Sequence, residues 1–123
     1  MGKKVLIIDD DPRNIFALKA TLEANGFETL VAGKAEEGLE LLRIQADEIA
    51  VVLLDMMMPG MDGYQALGQI RNSAVAGTIP VIAVTAQAMK GDKEKCLAAG
   101  ANDYIAKPID VDTLMTKLNS FLH

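Results

Sequence analysis

Short apolar runs alternate along the chain with stretches whose apolar residues recur every three or four positions. A short apolar run is typical of a buried strand, and the longer spacing is typical of a helix with one buried face. Five strands are predicted in this way, and each is followed by a predicted helix. The strands cover residues 5–8, 27–32, 49–54, 80–84 and 101–106.

Capping residues mark several helix ends. Asp11 before Pro12 predicts the start of the first helix, Asn25-Gly26 predicts its end, and Asp62 predicts the start of the third. The fourth helix has a poor start, because Gly91 inside a helix costs about 1 kcal/mol relative to Ala. The predicted inner faces are Ile15, Leu18 and Leu22; Ala35, Leu39 and Leu42; Tyr64, Leu67 and Ile70; and Val111, Leu114, Met115, Leu118, Phe121 and Leu122.

The order of these elements predicts the fold class. Strands that alternate with helices through short connections imply right-handed crossovers and a parallel sheet. Continuous apolar runs favour the first, third and fourth strands for the centre, while Glu28 and Thr29 make the second an edge. The known flavodoxin-like order 2-1-3-4-5 satisfies this pattern. We expect an α/β doubly wound parallel five-stranded sheet with helices on both faces, as one domain over 1–123 with no output domain.

Composition excludes several functions. The net charge of -5 and pI near 4.7 argue against nucleic acid or an anionic membrane as the direct partner. No apolar stretch approaches the roughly 18 residues that span a bilayer, and the amino terminus does not resemble a signal peptide, so we expect a cytoplasmic location. The lone Cys96 and the terminal His123 argue against a disulfide, a redox pair and histidine chemistry.

Polar side chains close four of the five predicted strands. Asp9 and Asp10 follow the first strand, Asp55 the third, Thr85 the fourth and Lys107 the fifth. Because ligands of such sheets bind outside the carboxyl ends of the strands, we expect all of these groups to face one crevice. Taken singly, each acid has an ordinary alternative as a helix cap or turn residue. Because four strand ends carry such groups, a shared functional site is favoured over a set of unrelated caps and turns.

The residue types indicate the chemistry. Converging carboxylates repel one another unless a cation binds, and an all-oxygen site of this kind suits Mg²⁺ better than Ca²⁺. Lys107 and Thr85 add a positive charge and a hydroxyl donor for an anion. Together these groups predict phosphoryl transfer onto Asp55, a reaction that depends mainly on positioning and charge neutralisation.

Four segments carry a resemblance to a known family: residues 5–12, 53–63, 84–86 and 100–108. They resemble the receiver domain of two-component response regulators, and the resemblance covers essentially the whole chain. It implies that Asp55 is the phospho-acceptor and that Lys107 and Thr85 hold the phosphoryl group. It also implies a Mg²⁺ site, in which Mn²⁺ can substitute, and a cis Lys107–Pro108 bond. The implied metal ligands are Asp10, Asp55 and the Met57 backbone carbonyl, with Asp9 acting through a bound water.

The resemblance further implies a phosphorylation switch. Thr85 and Tyr104 would be the switch pair, and the residues flanking the phosphoryl group would be Met56, Met57, Ala86 and Gln87. The donor would be a histidine kinase or a histidine phosphotransfer domain. A downstream protein, or a second copy in a phosphorylation-linked dimer, would dock on helix 4, strand 5 and helix 5. The chain would be a signalling receiver that promotes its own phosphorylation and dephosphorylation and not an enzyme, either free-standing or part of a hybrid kinase.

Three other functions share parts of this sequence pattern. A flavodoxin-like FMN binder needs a loop after the first strand that accepts a phosphate, and the acids at Asp9 and Asp10 would repel it. A haloacid-dehalogenase-type phosphatase needs a second Asp two residues after the nucleophile, where this chain has Met57. An interaction module that is not phosphorylated would be expected to lack Asp55 or Lys107.

Overall fold

The structure is a computed structural model that describes residues 4–58, 60–74, 76–86 and 91–122. Strands and helices alternate through this part of the chain, with a 3₁₀ turn at Ala46–Glu48 before the third strand. The elements are β1 (Lys4–Ile8), α1 (Pro12–Ala24), β2 (Glu28–Ala32), α2 (Ala35–Gln45), β3 (Ile49–Asp55), α3 (Gly63–Asn72), β4 (Val81–Thr85), α4 (Asp92–Ala98), β5 (Asp103–Ala106) and α5 (Val111–Phe121).

The five strands form one parallel sheet in the order β2-β1-β3-β4-β5, which confirms the predicted order. Ile8 at the end of β1 lies beside Leu54, and Asp55 at the end of β3 lies beside Val84. Thr85 at the end of β4 lies beside Ala106. The carboxyl ends of β1, β3, β4 and β5 are therefore level with one another, and the residues that follow them meet at one edge.

Two apolar clusters cover the two faces of the sheet. One face packs against α2, α3 and α4, and the other packs against α1 and α5. Strand residues alternate between the faces, so that Ile82 and Val84 belong to the second cluster while Val81 and Ala83 belong to the first. Helices on both faces are what the predicted doubly wound fold requires.

The predicted inner helix faces agree with the structure except at one residue. Val111 is 44% exposed, whereas Leu114 and Leu118 are fully buried. Val111 is the first residue of α5, directly after the N-cap Asp110, and Leu114 is the first residue of the helix that packs against the sheet. The prediction was wrong for Val111 because periodicity alone does not show where along a helix the contact with the sheet begins.

The start of α4 also differs from the prediction. α4 begins at Asp92, and Gly91 precedes it as the N-cap with a φ of +96°. A left-handed residue cannot continue a right-handed helix, and glycine adopts this conformation without a steric penalty. Gly91 therefore lies before the helix and not inside it. Residues 88–90, where the start was also predicted, lie outside the described residues.

The other boundaries lie close to those predicted. Asp11 and Asp62 cap α1 and α3, and the Asp62 cap is a capping box completed by Gln65. Strands β2, β4 and β5 begin one or two residues later than predicted. In the part of the chain that the structure describes, no helix combines the length and the apolar character needed to cross a membrane.

Candidate functional site

The residues predicted to form the site meet at the carboxyl edge of the sheet. Asp9 follows β1, Asp55 and Thr85 end β3 and β4, and Lys107 follows β5. Asp9, Asp55 and Thr85 are buried, with 2%, 3% and 4% of their surface exposed. Polar groups at such depth need partners or a ligand. Asp10, by contrast, is exposed.

Lys107 joins the two buried carboxylates. Its Nζ lies 3.5 Å from Asp55 Oδ2 and 3.6 Å from Asp9 Oδ2. The Lys107 backbone N–H donates to the Thr85 carbonyl at 2.8 Å, which attaches the residue to the end of β4. The bond from Lys107 to Pro108 is cis, as the resemblance implied. The ammonium group thus bridges the strands that carry the two acids.

The backbone around Asp55 fixes its carboxylate. Asp55 Oδ1 accepts from the Met57 N–H at 2.9 Å, and the Met56 N–H donates to the Val84 carbonyl at 2.9 Å. The Gly63 N–H at the start of α3 donates to the Met56 carbonyl at 3.3 Å. These bonds hold Oδ1 on the loop side, while Oδ2 faces Lys107.

Asp9 is held by a residue that sequence reasoning missed. Its Oδ1 accepts from the Asp11 N–H at 2.9 Å, and its Oδ2 accepts from the Asn14 side-chain Nδ2. Asn14 lies in the first turn of α1, five residues after Asp9. The available signal was an Asn in the first turn of a helix that already had its N-cap at Asp11, so that the Asn side chain was not needed for capping.

The electrostatics of the site favour an added positive charge. Burial raises the pKa of Asp55 above its ordinary value, and the neighbouring Asp9 carboxylate acts in the same direction, against the Met57 N–H and Lys107. Burial acts to lower the pKa of Lys107, but Asp55 and Asp9 outweigh it and the net shift is upward. Both pKa shifts are in the direction expected when the single positive charge of Lys107 does not neutralise the negative charges of the neighbouring carboxylates.

The donor set fits a hard divalent cation. Asp9, Asp10 and Asp55 each offer a carboxylate oxygen, and these three oxygens all lie within 4.8 Å of one another. Oxygen ligands from a few carboxylates, with space for water, are what Mg²⁺ prefers. The residues present therefore fit the magnesium site that the resemblance implied.

The residues predicted to flank the phosphoryl group differ in exposure. Met57 is 67% exposed and Ala86 is also exposed, whereas the Met56 side chain is buried in the core beside α3. Gln87 lies outside the described residues. Among the flanking residues that the structure describes, Met57 and Ala86 are therefore the two whose side chains are open to solvent.

The predicted switch pair lies on one face of the sheet. Thr85 shares the face of Ala83 by strand alternation, and Ala83 pairs with Tyr104 on β5. Tyr104 is partly buried against the cluster on that face. The Lys117 ammonium lies 5.7 Å from the centre of the Tyr104 ring and forms an ion pair with Asp103 at 2.9 Å. Tyr104 is thus partly buried on the face of the sheet that packs against α2, α3 and α4, and the Lys117 side chain of α5 reaches its ring.

Comparisons with known proteins agree with this geometry. Residues 5–119 match the family described as the response regulator receiver domain. Protein PilH of Pseudomonas aeruginosa is 39% identical over 119 residues, which are 97% of each chain. The polar-differentiation response regulator DivK of Brucella abortus is 34% identical over 122 residues, covering 99% of this chain and 98% of that protein.

A solved structure extends the comparison to the metal. The receiver domain of a sensor histidine kinase from Pseudomonas aeruginosa PAO1 has a magnesium ion coordinated in its active-site cleft. It is similar to this chain with a TM-score of 0.83 and 32% identity, covering 99% of this chain and 98% of that chain. The similarity therefore extends to the sheet edge that carries the acids.

Fold and site together define a doubly wound α/β signalling domain with a carboxylate and lysine site at its switch point. The chain belongs to the response regulator receiver domain family of two-component systems. Domains of this family interact with histidine kinases and with downstream targets. The family and fold expected from the sequence are thus confirmed.

Proposed function

We propose that this chain accepts a phosphoryl group on Asp55 from a phosphohistidine of a histidine kinase or a histidine phosphotransfer domain. The observation that carries the proposal is the meeting of Asp55 with Lys107 at 3.5 Å, beside Asp9, at the carboxyl edge of the sheet. An ionised carboxylate is already a nucleophile, so the site needs positioning and positive charge more than a general base.

The transfer follows from the contacts of Asp55. The Met57 N–H holds Oδ1, and the carboxylate attacks the phosphorus of the donor. A bond forms between a carboxylate oxygen and phosphorus while the bond from phosphorus to the histidine nitrogen breaks, and that nitrogen keeps the electron pair. The Lys107 ammonium and the Thr85 hydroxyl would donate to the phosphoryl oxygens.

Asp10, Asp55 and the Met57 backbone carbonyl would hold Mg²⁺ or Mn²⁺, with Asp9 acting through water. The closeness of the three carboxylate oxygens, within 4.8 Å, supports this assignment. A bound divalent ion supplies positive charge to the phosphoryl oxygens and offsets the repulsion between the acids. The chain's own contribution is to orient the Asp55 carboxylate through the Met57 N–H and to place the Lys107 ammonium beside it. In this way the domain promotes its own phosphorylation and dephosphorylation.

The readout proceeds through Thr85 and Tyr104. A phosphoryl group on Asp55 adds about two negative charges and new acceptor oxygens. These draw the Thr85 hydroxyl toward Asp55, and Tyr104 moves into the space that Thr85 leaves on the shared face of the sheet. The surface of α4, β5 and α5 then changes, and a downstream protein or a second copy docks there. The net charge of -5 disfavours nucleic acid as the direct partner and so supports a protein partner, which we propose to be cytoplasmic.

The first experiment tests the acceptor. The protein is mixed with acetyl phosphate and Mg²⁺, and its intact mass is measured. We expect a gain of one phosphoryl group that is absent with a chelator and absent in Asp55→Asn, which keeps the shape of the side chain but not its charge. Asp62→Asn is the matched control, because Asp62 caps α3 and is not part of the site. A stoichiometric gain in Asp55→Asn would move the chemistry to another residue.

The second experiment tests the readout. Thr85→Ala should still accept the phosphoryl group, because the nucleophile and Lys107 are unchanged. The NMR shifts of Tyr104 and of the start of α4 should move on phosphorylation in the unmutated protein and stay in place in Thr85→Ala. Equal shifts in both proteins would show that the signal leaves the site by another route.

A further inference from the structure

Asn14 connects α1 to the acidic site through a side-chain hydrogen bond. Its Nδ2 donates to Asp9 Oδ2, the same oxygen that lies 3.6 Å from Lys107. A carboxylate oxygen can only accept, so the amide must present its N–H₂ group to it and not its carbonyl. Asp9 Oδ1 is already used by the Asp11 N–H at 2.9 Å. Protein donors therefore occupy both oxygens of Asp9.

This occupancy has a consequence for metal binding. An oxygen that already accepts from an amide and faces an ammonium group is a poor direct ligand, but it can still accept from a metal-bound water. We propose that Asn14 is a positioning residue that keeps Asp9 in the outer shell of the metal and thereby favours Mg²⁺ over Ca²⁺. The inference rests on the proposed function, because it requires Asp9, Asp10 and Asp55 to form a divalent metal site.

The selectivity follows from the different demands of the two ions. Mg²⁺ needs near-ideal octahedral geometry and keeps several waters, whereas Ca²⁺ takes more protein oxygens in flexible arrangements. With Asn14 in place, Asp9 is fixed and offers the hydrogen-bonded contact that suits a retained water. Without Asn14, Asp9 Oδ2 becomes free to turn and bind directly, which suits Ca²⁺ and weakens the fixed geometry that suits Mg²⁺.

The test measures binding of Mg²⁺ and of Ca²⁺ by calorimetry, with no phosphoryl donor present. Asn14→Ala and Asn14→Leu both remove the amide group. The leucine side chain, unlike that of alanine, still fills the space that the asparagine occupies. Loss of a hydrogen-bond partner behind a metal ligand changes affinity by 10–100-fold in other sites, so we expect the ratio of Ca²⁺ to Mg²⁺ affinity to rise by about tenfold. Thermal unfolding of each variant shows that it is folded.

Asn25→Ala is the matched control. Asn25 caps the other end of α1, where its Nδ2 donates to the Thr21 carbonyl at 2.8 Å. Its loss disturbs the same helix without touching Asp9, so the affinity ratio should stay at the value of the unmutated protein. A merely structural role for Asn14 would lower both affinities together and leave the ratio unchanged.

The outcomes separate the two proposals. If the unmutated protein binds Mg²⁺ and the ratio is the same in both Asn14 variants, the inference about Asn14 is overturned and the proposed function stands. If the unmutated protein binds neither ion, the metal site does not exist. The proposed function and the inference about Asn14, which rests on it, are then both overturned. A rise in the ratio in both variants, absent in Asn25→Ala, supports the positioning role.

Discussion

Gly63 lies where α3 begins directly against the end of β3. A Cβ at this position would meet the Met56 Cα well inside van der Waals contact, and would lie 2.7 Å from Met56 Sδ and 2.9 Å from the Asp55 carbonyl oxygen. Non-bonded heavy atoms prefer about 3.5–4.0 Å, so α3 and the β3 end must separate to admit a methyl group. Two of the three neighbours are backbone atoms, which cannot turn aside as a side chain does.

We expect Gly63→Ala to destabilise the fold by about 1–3 kcal/mol, the usual effect of adding a methyl group to a closely packed position. The displaced backbone belongs to Asp55 and Met56, so the carboxylate should also shift relative to Lys107. Phosphorylation of the variant by acetyl phosphate should therefore be slower than that of the unmutated protein, even at temperatures where the variant is fully folded.

Gly68 in the same helix provides the matched control. A Cβ at Gly68 has no neighbour within 4 Å. Alanine is favoured over glycine in a helix interior by roughly 0.5–1 kcal/mol, so Gly68→Ala should stabilise the protein with no change in phosphorylation. The two variants carry the same chemical change in one helix and should differ by roughly 1.5–4 kcal/mol in free energy of unfolding.

Urea unfolding followed by far-UV circular dichroism measures this difference, and intact mass against time measures phosphorylation. The reasoning is refuted if Gly63→Ala is as stable as Gly68→Ala. If Gly63→Ala is destabilised but is phosphorylated at the rate of the unmutated protein, the second part of the reasoning is refuted. The close packing at Gly63 would then contribute to stability but would not determine the position of Asp55.

Two further predictions concern stability. Arg71 donates to backbone carbonyls before β4 and β5 and to Asn102 Oδ1, so Arg71→Ala should cost about 2–4 kcal/mol in urea unfolding; a change within about 0.5 kcal/mol would show that water replaces these bonds. Burial, reinforced by Asp9, raises the pKa of Asp55, so the folded protein keeps a proton that the unfolded chain releases. The resulting stability is present below the unfolded carboxyl value of about 3.9 and is lost as pH rises through the folded pKa. In metal-free unfolding, the stability of Asp55→Asn should therefore rise relative to that of the unmutated protein as the pH increases above about 3.9; a difference that does not change with pH would contradict the raised pKa of Asp55.

The sheet and its order could be predicted because their signals are periodic and repeated. Each apolar run needs cover on both faces, and only a few arrangements of five such runs satisfy that need. Asp55 and Lys107 could be predicted as partners for a related reason, since both follow buried strands and parallel strands bring their ends together. These conclusions depend on spacing along the chain and not on the details of any one contact.

Contacts between elements were harder to predict. Asn14 carries no periodic signal, and its link to Asp9 depends on the angle at which α1 leaves the sheet edge. The sequence predicts Gly91 inside a helix, because spacing along the chain does not reveal a φ of +96°. Arg71 on α3 carries no signal in the hydrophobic spacing, yet its guanidinium joins the two connecting segments before β4 and β5. Such roles follow from directions in space, which hydrophobic spacing does not encode.

The charges of the site explain how a costly arrangement can persist in a stable domain. Asp9 and Asp55 lie beside the Lys107 ammonium, and Asp10 lies close to both acids, so these four groups carry two more negative than positive charges in their ionised form. Burial makes that excess unfavourable, as the raised pKa of Asp55 shows. The same excess is what a divalent cation neutralises, and a neutral cluster no longer repels an incoming phosphoryl group. The repulsion that weakens the resting fold is therefore also the source of the site's preference for a cation before it accepts an anion.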